Sequence, residues 1–249
     1  MKFLKTTVLA LSMIAGSVAT YAQSAEEIVA KHIEAIGGAD KWKAITAMKA
    51  TGAISMQGMD IPVGITIVQK KGWRLDLTIM GMNNYQIITD KEGWVYFPVQ
   101  QQQKPEPMTA EQVKESQDQL DIQGEFIDYK TKGKKIEFVG KDDMEGTEVL
   151  KVKVTDKDGT EKTVFFDPAS YYVLREVQKI KADGKEDESI VSFSNYKKLS
   201  EGIVYPMTIE SPQGPVTFSS VEINPKIDAS VFSPSDAPKA EEKLAKPGN

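Results

Sequence analysis

The stretch DIPVGITIVQKKGWRLDLTI, residues 60–79, decides the fold. Its apolar side chains recur at every second position, Ile61, Val63, Ile65 and Ile67 and then Trp73, Leu75, Leu77 and Ile79. That is the period of a half-buried strand. Lys71-Gly72 separates the two runs and supplies a turn, so they are expected to form an antiparallel hairpin.

Working outward, turn signals recur at short intervals: Gln57-Gly58, Gly81, Glu92-Gly93, Glu145-Gly146, Asp158-Gly159 and Asp183-Gly184. Connections this short make neighbouring strands antiparallel, in a meander. Strands are expected near 47–57, 60–70, 73–80, 83–90, 93–98, 134–142, 147–155, 160–167, 171–181, 188–197, 203–210 and 215–222. About 11–12 strands suffice for a strongly curved sheet or a partial barrel, an α+β but mainly β class.

Two helices break the pattern. Ser24 precedes Glu26 and Glu27, an N-cap with acids in the first turn, and Ile28, Val29, Ile33 and Ile36 recur at helical spacing until Gly37-Gly38 stops them. A short turn with Trp42 and Ile45 follows. After a polar stretch at 99–107, residues 109–123 read as a helix capped by Thr109, with a thin apolar stripe of Val113, Leu120 and Ile122. A stripe so thin cannot stabilise a helix alone, so this segment must lie on something apolar. It is expected across the concave face, either as a lid or as a simple completion of the core.

Lys2 and Lys5 ahead of an apolar run ending at Thr20-Tyr21-Ala22 read as a secretory signal peptide over residues 1–22. One domain is expected over 23–235, and the Lys/Glu/Ala/Pro-rich residues 236–249 are expected to be a disordered tail. Removing residues 1–22 takes away two lysines and no acids and moves the formal net charge from −5 to −7. An acidic chain argues against nucleic acid, whose phosphates require clustered Lys and Arg. With no cysteine, an N-terminal lipidated Cys and disulfides are excluded. The expectation is a soluble, unlipidated, periplasmic monomer with at most transient peripheral membrane contact.

Few residues point to chemistry. His32 is the sole histidine, sits on the first helix and is accompanied by no Gly-x-Ser-x-Gly turn. Asp142-Asp143 and Glu186-Asp187-Glu188 are read as solvated loop charges rather than oxygen-ligand metal sites. No phosphate loop occurs, and no cofactor, metal or catalytic residue is expected. Met48, Met56, Met59, Met80 and Met82 gather in or beside the first four strands, where flexible thioethers fill irregular apolar space.

Several short segments resemble the periplasmic lipoprotein carriers and receptors of the LolA/LolB type. Asp90-Lys91-Glu92-Gly93-Trp94-Val95-Tyr96-Phe97-Pro98 is similar to their Asp-Gly-x-x-x-Trp-x-Tyr strand, and Lys70-Lys71-Gly72-Trp73-Arg74 to their Lys-Arg-Pro-x-x-Phe segment. Phe166-Asp167-Pro168 leading into Tyr172-Val173-Leu174, Tyr205-Pro206, Asn224-Pro225 and Phe232-Ser233-Pro234 extend the resemblance over most of residues 25–235. It implies an unclosed antiparallel β-barrel with helices over its mouth, whose apolar cavity holds acyl chains without covalent chemistry. The chain departs from the carriers where their lid-holding Arg-Pro is represented only by Lys70 or Lys71.

Carried over by position, the expected cavity residues are Ile54, Met56, Ile65, Ile67, Leu75, Leu77, Ile87, Trp94, Tyr96 and Phe138, with Val113 and Leu120 on the lid. Three readings follow: a carrier of lipid acyl chains or lipoproteins, an envelope sensor of the same fold that binds a partner protein on an edge strand, and an enzyme with perturbed carboxylates around a pocket.

Overall fold

A computed structural model describes residues 24–234 apart from 57, 183 and 184. The expected signal peptide and tail lie outside the described residues. Helices α1 (Ala25–Ala35) and α2 (Ala39–Lys43) lead into strands β1 (Ala47–Met56), β2 (Met59–Val68), β3 (Gly72–Ile79), β4 (Met82–Thr89), β5 (Gly93–Tyr96) and β6 (Glu106–Pro107). Helix α3 (Ala110–Glu115) and a 3-10 turn (Gln117–Leu120) interrupt them. Strands β7 (Lys135–Met144), β8 (Thr147–Thr155), β9 (Glu161–Phe166), β10 (Val173–Ala182), β11 (Lys185–Lys198), β12 (Val204–Ser211) and β13 (Gly214–Ile223) complete the chain before a 3-10 turn at Ala229–Phe232. The extra strand relative to expectation is the two-residue β6, inside the stretch read as polar loop.

All strands form one antiparallel sheet in the order β6-β5-β4-β3-β2-β1-β13-β12-β11-β10-β9-β8-β7. Each meander spreads outward from the central β1–β13 pair, so the edges β6 and β7 are consecutive in the chain yet at opposite ends of the sheet. They do not pair, and the barrel stays open. Residues 108–134 must therefore run from one edge to the other. Tight hairpins hold the register: Met80 and Gly81, with φ of 52° and 76°, form a two-residue turn of the kind whose twist matches the flanking strands.

Residues paired across an antiparallel ladder point to the same side of the sheet. The row Met48, Ile67, Trp73, Ile88 is linked pair by pair, and Met48, Ile67 and Trp73 pack against Ile122 and Ile127 of the crossing segment. This row marks the concave side. On the β7–β10 half that side is closed: α1 presents Ile28 and Val29 to Val152, Val154, Val164 and Phe166, all at most 1% exposed, with Phe126 of the crossing segment wedged among them. The α1–α2 corner packs so closely on β12 that a Cβ at Gly37 would stand 2.5 Å from the Gly202 carbonyl oxygen, and Val204 N–H donates to Ile36 O.

The expected helix over 109–123 is shorter in the structure. Thr109 does cap it, in a reciprocal capping box with Gln112, but α3 ends at Glu115. Ser116 Oγ and Gln117 Nε2 donate to Gln112 O and Val113 O, so side chains take up carbonyls at the helix end. Beyond it, the β2–β3 hairpin captures the backbone: Lys70 N–H donates to Leu120 O, and Ile122 N–H donates to Gln69 Oε1. With so narrow an apolar stripe, these bonds favour an irregular crossing over further helical turns.

Candidate functional site

The concave face of the β1–β4 half is built from the alternation that marks the sequence. Ile54 pairs with Ile61 and Val216, Ile65 with Ala50 and Leu75, and Leu77 with Val63. Ile54, Ile61, Ile65, Leu75, Leu77 and Ile79 remain half-buried, unlike their counterparts under α1. The result is an apolar trough only partly covered by protein. Ile54, Met56, Ile65, Ile67, Leu75 and Leu77 all share its side by register, with Met56 at the hairpin tip and 43% exposed.

Ile87, Trp94 and Tyr96 do not lie on this face. Ile87 pairs with Arg74 and Trp94, and Tyr96 with Tyr85, placing all three on the convex side. There the 3-10 turn Ala229–Phe232 packs against β3 and β4. Arg74 donates to Val231 O and forms a two-pronged pair with Asp76, with its guanidinium 4.5 Å from the centre of the Tyr85 ring. Phe138 pairs with Val152 and packs on the closed half of the concave side. Val113 and Leu120 are buried where the crossing segment begins, Val113 beside Gly93.

Lys70 does more than end a hairpin. Its Nζ and that of Lys132 each stand 2.8 Å from Asp121 Oδ2, and Gln69 donates to Oδ1. Burial pulls the Asp121 carboxyl up, but these three donors outweigh it and hold it at about 2. The crossing segment is thus latched to β2–β3 by an ionised carboxylate.

Beneath this segment lies a cavity of about 270 Å³ between the two halves of the sheet. Met48 and Ile67 form its apolar wall on one side, and Val173 and Phe193 on the other. Ile67 is the one expected cavity residue that lines it. Sequence reading missed the polar groups here. His32 Nδ1 stands 2.8 Å from Tyr171 O, and its ring meets Phe126 and Phe166 edge-on. Burial lowers its pKa to about 4, so the imidazole is neutral at pH 7. Glu125 Oε2 stands 3.0 Å from Lys162 Nζ, which also bonds Glu176 Oε2 at 3.3 Å. Apart from this ion pair, neither buried Glu125 oxygen has a hydrogen-bond partner. Burial, reinforced by the Glu176 charge, pushes the Glu125 carboxyl up to about 7. Burial would lower the pKa of Lys162, but Glu176 and Glu125 outweigh it and raise it. Burial raises the Tyr205 phenol to about 12.

Chemically, the cavity can hold an apolar chain, and Glu125 can bind or release a proton near neutral pH. One signal was available: Lys162 and Glu176 occupy inward positions in line with Val154, Val164 and Val191, where a solvated pair has no reason to be. Among the described residues no group of acids and histidine is arranged to hold a metal ion, and no helix is long and apolar enough to cross a membrane.

No family model and no curated protein matches the sequence. Solved structures do. An outer membrane lipoprotein-sorting protein domain from Vibrio parahaemolyticus matches with a TM-score of 0.52 at 13% identity, over 83% of this chain and 95% of that one. A LolA superfamily protein from Nitrosomonas europaea matches with a TM-score of 0.55 at 11% identity, over 85% and 98%. At these identities the likeness establishes the fold.

Proposed function

The chain has a LolA-like fold, and on that premise we propose that it binds acyl chains of lipids or lipoproteins non-covalently, as a carrier in the periplasm of a bacterial envelope. The observation that carries this reading is the half-covered apolar trough of Ile54, Ile61, Ile65, Leu75, Leu77 and Ile79, continuous by register with Met48 and Ile67 at the cavity. Burying a methylene contributes about 0.8 kcal/mol, so a chain of roughly ten methylenes gains about 8 kcal/mol before ordering costs. The Lys70–Asp121 latch gives the crossing segment a point at which to open and admit it.

A partner-binding sensor is the second reading, favoured by β7, a ten-residue edge strand with one hydrogen-bonded neighbour, on which an extended peptide could add.

Native mass spectrometry of the protein purified from a periplasmic extract, followed by denaturing extraction and lipid analysis, separates the two. Stoichiometric phospholipid or acylated peptide is expected, and Leu77→Glu, which puts a charge in the trough, should abolish it. A clean ligand-free mass with an empty extract would shift the reading to the edge strand.

A further inference from the structure

The polar end of the cavity is a cluster of charged side chains. Glu125, Glu176 and Asp156 contribute three carboxylates, while Lys162 and Lys134 contribute two ammonium groups: Lys162 bridges Glu125 and Glu176, and Lys134 pairs with Asp156 and stands 3.9 Å from Glu125. The exposed Asp118, also 3.9 Å from Lys134, is solvated. The residues that line the cavity include Asp121, Glu125 and Glu176 but no lysine, and apart from the Lys162 ion pair both Glu125 oxygens are buried without a hydrogen-bond partner at the cavity wall. An ionised carboxylate left so is costly, which makes it a place prepared for something else.

The neighbouring groups narrow down what that is. A carbonyl only accepts, so His32 Nδ1 carries the proton in its bond to Tyr171 O, and the neutral ring leaves Nε2 as an acceptor. The Tyr196 hydroxyl donates its proton to Val173 O at 2.6 Å, which leaves its oxygen lone pairs. Trp42 Nε1 is committed to Ile36 O. Gln123 and Tyr205 can act either way, but the other groups with spare capacity on this wall accept.

We propose that this pocket selects an amphiphile whose head is a primary ammonium group, with Glu125 as its counter-ion and the alkyl chain against Met48, Ile67, Val173 and Phe193. An ammonium brings three donors, no acceptor and a positive charge to a wall lined by carboxylates and no lysine. A volume of about 270 Å³ corresponds to roughly nine non-hydrogen atoms at the ~30 Å³ a water occupies, the size of octylamine. This inference rests on the reading of the cavity as an acyl-chain site.

The test is calorimetric titration of the full-length protein at pH 7.5 with octylamine, octanol and octanoate, which share a chain and differ in the head. Octylamine should bind at least tenfold more tightly than octanol, and octanoate most weakly. In Glu125→Gln the advantage over octanol should vanish while octanol affinity is retained. Equal affinities in the parent protein, or a ranking untouched by Glu125→Gln, would overturn the ammonium assignment and leave the chain site standing. Failure of all three to bind would overturn both. The parent ranking needs no variant and stays decisive if Glu125→Gln misfolds. Dihexanoyl-phosphatidylethanolamine titrated beside its choline analogue identifies the source. Preference for the ethanolamine lipid supports a phospholipid amine, and preference confined to octylamine supports a free one.

Discussion

The two halves of the sheet carry the same alternating pattern and meet different fates. In β8–β10 the inward Val152, Val164 and Phe166 are fully buried under α1 and Phe126. In β1–β3 the inward Ile65, Leu75 and Leu77 are just as apolar but half-buried. Period two states that one face is apolar and does not state what covers it. The closed half works as a conventional core that anchors the helices. Holding the second half open beside it requires that stability come from the first.

The largest effect expected from this contrast is in the closed half. Phe166→Ala removes a fully buried ring that touches His32 and Phe126 and should cost about 3–5 kcal/mol, read by urea unfolding. A cost below about 1 kcal/mol would mean that the closed half is not the core, and the comparison would collapse.

The seam between the halves supplies the next effect, through pH. His32 is held at about 4 against an unfolded value of 6.5, so in this window the unfolded chain binds more protons and His32 makes stability fall as pH falls from 6.5 toward 4. Glu125 is held at about 7 against 4.5, so the folded chain binds more protons, and its contribution, full below 4.5, is lost as pH rises toward 7. The two oppose each other between 4.5 and 6.5. Glu125→Gln removes one side of the balance. Acidifying the variant from pH 6.5 to 4.5 should cost on the order of 2 kcal/mol more than it costs the parent, from denaturation midpoints at each pH. Parallel pH profiles would show that Glu125 is wet, and the seam would then belong to the open half.

Most of the fold was legible because its signals are local. The twelve longer strands fall close to where alternation and turn dipeptides place them, and the inward parity of Ile54 to Leu77 follows from one hairpin. The reading slips at β4 and β5. The Met80-Gly81 turn sets Asn84 and Gln86 on the concave side and Tyr85 and Ile87 on the convex side, against hydropathy. Asn84 tolerates full burial because its amide donates to Leu77 O and Met82 O and its Oδ1 accepts from Val99 N–H. Tyr85 is buried beneath Arg74, and a ring at Phe232, some 160 residues away, packs over Gly72. No local pattern contains that contact. Strand alternation marks Lys162 and Glu176 as inward, but Glu125 comes from a separate element, so no local pattern contains the cluster as a whole.

The smallest effect is the sharpest test of the open half. Leu75 pairs with Ile65 and Gln86 on the trough side, and part of its surface already meets solvent. Leu75→Thr in protein stripped of ligand therefore forfeits only a fraction of the transfer free energy that a buried leucine contributes, and threonine suits a strand. The expected loss is within about 1 kcal/mol in ligand-free protein. If bound chains stabilise the folded state, the parent should gain more from added lipid than the variant does, because only bound ligand completes the burial of Leu75. A loss of 2 kcal/mol or more without ligand would mean that the trough is already covered, and the asymmetry between the halves would be one of degree in packing rather than a division between core and site.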